Sequence, residues 1–221
     1  LLPDSTVSAA HAAPISDIYR DTNLLIVGHV GNNRAVLPLY VQLFCGADAF
    51  YPGGKGYELR TVSNPWGTGQ NCIVLGGSTP AGCRAAVAAL LARVPKAAEN
   101  TVRLPRLLDI VMDDPELEDG LEQLQAREGS DQYSFKPLSY QDERVLHKFT
   151  RPAWWYHWSG RPYWAKLARE YILEFSRLYR GHYVMSHYQM EGFYRAWDML
   201  EEATVFSPDE RRLIIQHLAE T

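Results

Sequence analysis

Four titratable side chains near the carboxyl-terminal end have the spacing of residues that share one face of a helix. They are His187, Glu191, Arg195 and Asp198. An α-helix returns to the same face every three to four residues, so an imidazole, a guanidinium and two carboxylates are predicted to lie side by side. Such a set can transfer protons and bind an anion, although most polar helix faces only contact solvent.

Aromatic residues lie close to these groups, as they do in many carbohydrate-binding clefts. Tyr188 and Tyr194 belong to the same segment. His187 or Tyr188 could accept or donate a proton. Glu191 could orient that group, and Arg195 could neutralise a substrate carboxylate through a bidentate contact. We therefore predict His187, Tyr188, Glu191 and Arg195 as the catalytic candidates.

Other kinds of site have little support. His182 and His187 are five residues apart instead of the four of a helical metal pair, and HExxH is absent. Ser186 is not in a GxSxG elbow, and Cys45, Cys72 and Cys83 lack CxxC spacing. We predict no metal, no cofactor and buried thiols.

Composition narrows the classes of partner. The 221 residues are 46% hydrophobic and 22% charged, which is ordinary for a globular protein, and the formal net charge is -4. Without a basic surplus, phosphate neutralisation gives no reason to expect nucleic-acid binding. No apolar run approaches the roughly 20 residues that cross a bilayer, so we expect no membrane partner.

The first part of the chain is predicted to be a small α/β domain over residues 1–104. Buried strands are indicated at residues 24–27 and 72–75, with an alternating strand at 57–62 between them. Helical spacing follows at 36–45 and at 81–94, where Ser78 or Thr79 can cap and Pro80 suits the first turn. The Gly28–Asn33 loop lacks a complete GxGxxG, which argues against a nucleotide site.

The rest of the chain is predicted to be helical after a polar connector at residues 105–138. Within residues 139–221, the predicted helices cover 146–158, 162–179, 187–203 and 208 to the end, with breaks at Ser159-Gly160 and Arg180-Gly181. Short loops between them indicate antiparallel hairpins. The final helix has no stop signal, so we expect the natural chain to continue.

Both parts resemble pieces of carbohydrate-active enzymes. The segment from Ile73 to Gly82, with Gly-Gly-Ser-Thr-Pro entering a helix, looks like the accessory α/β domain of hexosaminidases and α-glucuronidases. The segments from Tyr156 to Tyr171 and from Trp197 to Arg211 resemble hairpins of the (α/α) toroid of polysaccharide lyases and related glycosidases. The expected fold is thus an α/β sandwich-like domain followed by the start of an α/α toroid, with the remaining toroid helices as partners.

This resemblance implies the N-terminal portion of a secreted or periplasmic enzyme that degrades polysaccharides, first of all a lyase that cleaves uronic-acid glycans by β-elimination. Arg195 and His187 are expected to bind the substrate carboxylate, and Tyr188 is expected to accept the proton. The substrate-binding candidates are Trp154, Trp155, Tyr156, His157 and Asp198.

Two alternatives stay open. In a toroid glycoside hydrolase, Glu191 and Asp198 could act as acid and base, but seven residues of helix rise about 10 Å, beyond the roughly 6.5–9.5 Å of inverting pairs. In a non-catalytic carbohydrate-binding module, Trp154, Trp155, Trp158 and Trp164 could stack on sugars, unless they form hairpin core.

Overall fold

A computed structural model describes residues 21–94, 104–128, 147–178, 187–201 and 203–220. The chain divides into two compact units, Leu1–Leu121 and Glu122–Thr221. The first is an α/β unit and the second is helical, which confirms the coarse fold class. The sandwich and toroid architectures stay predictions.

A mixed four-stranded sheet forms the centre of the first unit. Its strands are β1 (Leu24–Val27), β2 (Tyr57–Val62), β3 (Cys72–Gly76) and β4 (Leu108–Val111), in the spatial order β1-β3-β2-β4. Strands β1 and β3 are parallel, whereas β2 runs antiparallel to β3 and β4. The three strands predicted from hydrophobic patterning are therefore neighbours in one sheet.

Strand β4 lies in the segment that the sequence indicated as connector. It pairs with β2 at the sheet edge, where Asp109 lies opposite Leu59. Asp109 accepts a hydrogen bond from Tyr57 Oη at 3.0 Å and forms an ion pair with Arg93 at 2.5 Å. The strand has only four residues and none of them is fully buried, so its apolar pattern is weak and patterning alone did not predict it.

Helices α1 (Leu37–Val41) and α2 (Pro80–Leu91) belong to the same unit, and a 3-10 turn (Arg34–Val36) precedes α1. The predicted cap is confirmed, since Thr79 Oγ1 accepts a hydrogen bond from the Gly82 amide at 3.2 Å. Helix α1 is shorter than predicted. The chain reverses after it at Leu43, whose φ of 63° is left-handed and incompatible with a continuing helix.

Alternation along the strands gives the sheet two apolar faces. On one face, Ile26, Val62 and Val74 pack with Val36 and Leu39. On the other face, a second core consists of Leu59, Leu75, Ala86, Leu90 and Leu107. Residues of the 3-10 turn and α1 contribute to the first core, and residues of α2 contribute to the second.

Helix α3 (Pro115–Glu128) contains the boundary between the units, and the described residues after it form four further helices. These are α4 (His147–Ser159), α5 (Pro162–Leu178), α6 (His187–Leu200) and α7 (Pro208–Glu220). Gly160, with a φ of 64°, ends α4 where the sequence predicted a break. Ser207 and Glu210 exchange backbone-to-side-chain hydrogen bonds of 2.9 and 3.3 Å, forming a capping box at the start of α7.

The helical unit packs around a cluster of aromatic rings. Phe149, Phe175 and Phe193, from three different helices, have ring centroids 5.1 to 5.7 Å apart. His217 of α7 lies 5.4 Å from the Phe175 ring and 5.1 Å from the Phe193 ring. Helix α4 packs against α5 and α6, and α5 packs against α7. Within the described residues, no helix is both long and apolar enough to span a membrane.

Candidate functional site

Helix α6 presents a polar face to solvent. Glu191, Arg195 and Asp198 are exposed on this face. The opposite face is buried and consists of Phe193, Ala196, Trp197 and Leu200. This separation follows from the helical period, because apolar positions three or four residues apart turn toward the aromatic core. The polar groups are therefore accessible to a ligand.

His187 and Tyr188 begin α6, but their side chains lie outside the described residues. Both residues are helical in the structure. Their spacing along the helix predicts that they lie on the polar face or next to it. Their catalytic roles stay predictions.

Glu191 and Arg195 form an ion pair along one turn of the helix. Glu191 Oε1 lies 3.0 Å from Arg195 Nε and 2.7 Å from Nη2. The two side chains are 55% and 54% exposed, and such exposed pairs contribute only about 0–1 kcal/mol. A substrate carboxylate can therefore replace Glu191 on the guanidinium at small cost. The sequence assigned Glu191 to orient His187 or Tyr188; in the structure its carboxylate contacts Arg195.

Asp198 is the carboxylate best suited to proton transfer. Desolvation by its surroundings, followed by repulsion from Glu201, raises the pKa of Asp198 to about 6. The side chain nevertheless keeps an exposed surface through which a substrate can approach. A group that titrates near neutral pH is present in both protonation states and can act as acid or base.

The sequence reasoning missed Glu201, which lies one turn after Asp198. Arg211 donates hydrogen bonds to the carbonyl oxygens of Glu201 and Ala203, the latter at 2.5 Å, and so closes the end of α6. The spacing of three residues between Asp198 and Glu201 was the available signal, since like charges so placed on a helix repel.

The aromatic residues of α4 have two different environments. Trp154 and Trp158 are half-buried and stack with ring centroids 6.0 Å apart at 25°. Trp155 is half-buried as well, but its ring lies 6.3 Å from that of Trp164, which is fully buried. The idea that Trp164 stacks on a sugar is wrong, because its ring is part of the hairpin core. Trp154 and Trp158 retain surface for a ligand.

Tyr156 and His157 were predicted to contact substrate. They are only 8% and 6% exposed, and the His157 ring meets Trp158 edge to face at 4.9 Å. Little of either side chain is therefore available to a sugar. The His157 ring instead supports the half-exposed indole of Trp158.

The glycine loop after β1 is closed by its own hydrogen bonds. The His29 amide donates to Asn32 Oδ1 at 2.8 Å, and the Gly31 amide donates to His29 Nδ1 at 3.1 Å. Asn33 Nδ2 donates to the Val27 carbonyl at 2.9 Å. Since amides that would bind a phosphate are used internally, the loop has the features of a structural turn.

The described residues contain neither a reactive cysteine nor a metal site. Cys45 and Cys72 are buried free thiols, as predicted, and desolvation raises the pKa of Cys72 to about 12. Thiols in such surroundings are poor nucleophiles. No group of three or more His, Cys, Asp and Glu side chains in the described ranges is arranged to hold a metal ion.

Comparison of the chain with protein families, with curated proteins and with solved structures finds no match.

Proposed function

We propose that the chain belongs to a polysaccharide-degrading enzyme that cleaves uronic-acid-containing glycans by β-elimination. The observation that carries the proposal is the exposed face of α6, where Arg195 can bind an anion and Asp198 titrates near neutral pH. Arg195 and Asp198 are separated by three residues and so lie on the same side of the helix. One helix thus offers anion binding and proton transfer together.

The packing order of the helices supports the toroid part of the proposal. Helix α4 contacts its hairpin partner α5 and also α6, while α5 contacts α7. Alternate helices are therefore neighbours, as they are when helical hairpins stack side by side. In this arrangement α4 and α6 form one layer, so the indoles of Trp154 and Trp158 share a layer with the polar face of α6. The remaining toroid helices complete the cleft.

In the proposed reaction, Arg195 and His187 bind the uronate carboxylate and so acidify the proton on C5. Tyr188, in its phenolate form, accepts that proton. The electron pair released from C5–H forms the C4–C5 double bond, and the bond from C4 to the glycosidic oxygen breaks. Asp198 in its protonated form donates a proton to the leaving oxygen. The products are an unsaturated uronate and a new sugar hydroxyl.

A glycoside hydrolase is the second candidate, and the pKa of Asp198 favours it specifically. A protonated carboxylic acid near neutral pH is what the general acid of a glycosidase requires. Glu191, whose carboxylate contacts Arg195, is a poor partner for it. A second carboxylate from another helix would be needed.

The test is ultraviolet absorbance of the unsaturated product while the longest product of the gene is incubated with alginate, glycosaminoglycans, pectate and ulvan in turn. We expect absorbance to rise with one of these polymers. Reducing ends without absorbance would instead support hydrolysis. No signal in either assay would contradict catalysis and favour the non-catalytic carbohydrate-binding module.

Substitutions on α6 test the assigned roles. We expect Tyr188→Phe and His187→Ala to abolish elimination while the fold persists, because the proton acceptor and part of the carboxylate site are lost. We expect Arg195→Gln to raise KM for the polyuronate by roughly tenfold or more, since a charged hydrogen bond to the substrate is removed. Steady-state kinetics on the polymer identified above measures both effects.

Arg212→Gln is the matched control for Arg195→Gln. Arg212 is likewise exposed and paired with a carboxylate on its own helix, Asp209, but it lies on α7. We expect its substitution to leave KM unchanged. Equal effects of the two arginine variants would contradict a substrate contact by Arg195.

The stacked rings of Trp154 and Trp158 give a prediction that does not depend on turnover. We expect Trp158→Ala to weaken oligosaccharide binding by roughly five- to tenfold, because half of the aromatic surface is removed. Quenching of tryptophan fluorescence by oligosaccharides measures the affinity. Phe50→Ala, which removes an aromatic ring that is 83% exposed in the first unit, is the control. Unchanged binding in the Trp158 variant would leave these rings without a role in recognition.

A further inference from the structure

The proposed reaction uses several side chains of α6 but leaves the exposed ring of Tyr194 without a role. This side chain is 41% exposed. Tyr194 lies one turn before Asp198, and residues with this spacing have Cβ atoms about 5–6 Å apart. The phenol ring is therefore a neighbour of the proposed proton donor, and a sugar that contacts one can contact the other.

The order of residues around α6 places Tyr194 at one border of the polar face. Successive residues of an α-helix turn by about 100°. When α6 is viewed along its axis, Asp198 therefore lies between Arg195 and Tyr194. Gly192 lies at the opposite border, beyond Arg195. The anion-binding and proton-donating groups are thus between Gly192 and Tyr194.

Helix α4 packs at the Gly192 border. A methyl group at Gly192 would lie 3.8 Å from Thr150 Cγ2 of α4. Thr150, Trp154 and Trp158 are four residues apart and so form one row of α4. The two indoles therefore lie on the α4 side of the polar face, and Tyr194 lies across it.

We propose that Tyr194 is the platform that binds the leaving part of the polymer. The assignment rests on the proposed elimination, in which Arg195 binds the uronate and Asp198 protonates the oxygen that departs when the bond from C4 breaks. Because Asp198 lies between Arg195 and Tyr194, the departing sugar lies over Tyr194. An aromatic ring there offers a flat apolar surface with a polar tip.

The two aromatic surfaces also define how the polymer is cut. They lie on either side of the polar face, on packed helices whose axes are about 8–10 Å apart. A chain that contacts both surfaces has sugars on each side of the bond that breaks. We therefore expect cleavage within the polymer, and size-exclusion chromatography of the earliest products should show a broad range of lengths. Release of disaccharides alone from the start would overturn this expectation.

The direct test is isothermal titration calorimetry on the full chain with Tyr188→Phe, which is expected to leave the ligands uncleaved. The probes are saturated tetrasaccharides from alginate, glycosaminoglycans, pectate and ulvan, and the unsaturated disaccharides that elimination gives from them. A tetrasaccharide reaches both aromatic surfaces. An unsaturated disaccharide has lost the leaving part, so its uronate occupies Arg195 and no sugar reaches Tyr194.

We expect Tyr194→Ala to weaken tetrasaccharide binding by roughly three- to tenfold, because a ring contact is lost. Binding of the unsaturated disaccharide should stay unchanged. Tyr194→Phe keeps the ring and should bind both probes like the parent. Ile215→Ala, which truncates a side chain that is 52% exposed on α7, is the control and should alter neither affinity.

The outcomes separate this assignment from the proposed function. Unchanged tetrasaccharide binding in Tyr194→Ala, or an equal loss for both probes, would overturn the role of Tyr194 even if the wild type cleaves the polymer. Absence of tetrasaccharide binding to the parent would overturn it as well. If the wild type cleaves no polymer, the elimination is refuted, but a loss confined to the tetrasaccharide would still support Tyr194 as a sugar platform.

Discussion

Asp198→Asn is expected to lower the rate of polysaccharide cleavage by two to four orders of magnitude, because a positioned proton donor contributes roughly 10²–10⁴-fold. The pH profile is expected to change as well. The wild-type rate should fall as the pH rises through about 6, where Asp198 loses its proton. In the asparagine variant this fall should disappear from the residual rate. Rates measured from pH 4.5 to 8 check both statements.

The same substitution is expected to stabilise the fold at neutral pH. The pKa of Asp198 is raised from its ordinary value of 3.8 to about 6, so the folded state favours the protonated form. The stability that this group contributes is present below pH 3.8 and is lost as the pH rises to about 6. Since the side chain is exposed and screened, we expect Asn to gain only about 0.5–1 kcal/mol at pH 7.

Opposite effects on activity and stability distinguish a catalytic Asp198 from a merely structural one, because a structural residue would lose both. Urea unfolding at pH 4 and pH 7 measures the second effect. Asp209→Asn, which removes an exposed carboxylate on α7, is the matched control and should leave the pH profile unaltered. An unchanged rate in the Asp198 variant would refute its role as proton donor.

Glu58→Ala is expected to destabilise the α/β unit by about 3–5 kcal/mol, because it breaks a buried ion pair and removes the acceptor of two buried amides. Glu58 Oε1 lies 2.6 Å from Arg60 Nε, an ion pair whose geometry falls short of a hydrogen bond. Glu58 Oε2 accepts hydrogen bonds from the amides of Gly46 and Ala47 at 2.9 and 3.0 Å. The two side chains are 0% and 5% exposed.

Hydrogen–deuterium exchange of peptides from β2 and β3 measures the loss of stability in Glu58→Ala. It reports on the α/β unit separately from the helical unit. The double variant Glu58→Met with Arg60→Met is the control. It removes both charges, so we expect it to be less destabilised than Glu58→Ala despite its extra substitution. A Glu58→Ala variant with unaltered exchange would show that the pair contributes nothing to the sheet.

Local sequence signals predicted much of the secondary structure. Thr79 and Pro80 mark the start of α2, Gly160 marks the end of α4, and Ser207 with Pro208 marks the start of α7. These signals work because caps, glycine turns and prolines act on the backbone within a few residues. For the same reason the spacing along α6 predicted that Glu191, Arg195 and Asp198 share one face.

Contacts between distant residues decided the rest. Strand β4 exists because Leu59 and Arg60 of β2 offer it a hydrogen-bonding edge, and Glu58 is buried because the loop at Gly46 and Ala47 supplies it with donors. No local pattern encodes such pairing.

The sequence by itself determined where most helices and strands begin and end, and which residues of α6 share a face. The tertiary structure alone decided which side chains are accessible to a ligand. It buried Trp164 but left Trp154 and Trp158 with exposed surface, and it raised the pKa of Asp198 by partial desolvation. The physical reason is that burial and desolvation depend on neighbours from other helices, whereas caps and periodicity depend only on the adjoining turn.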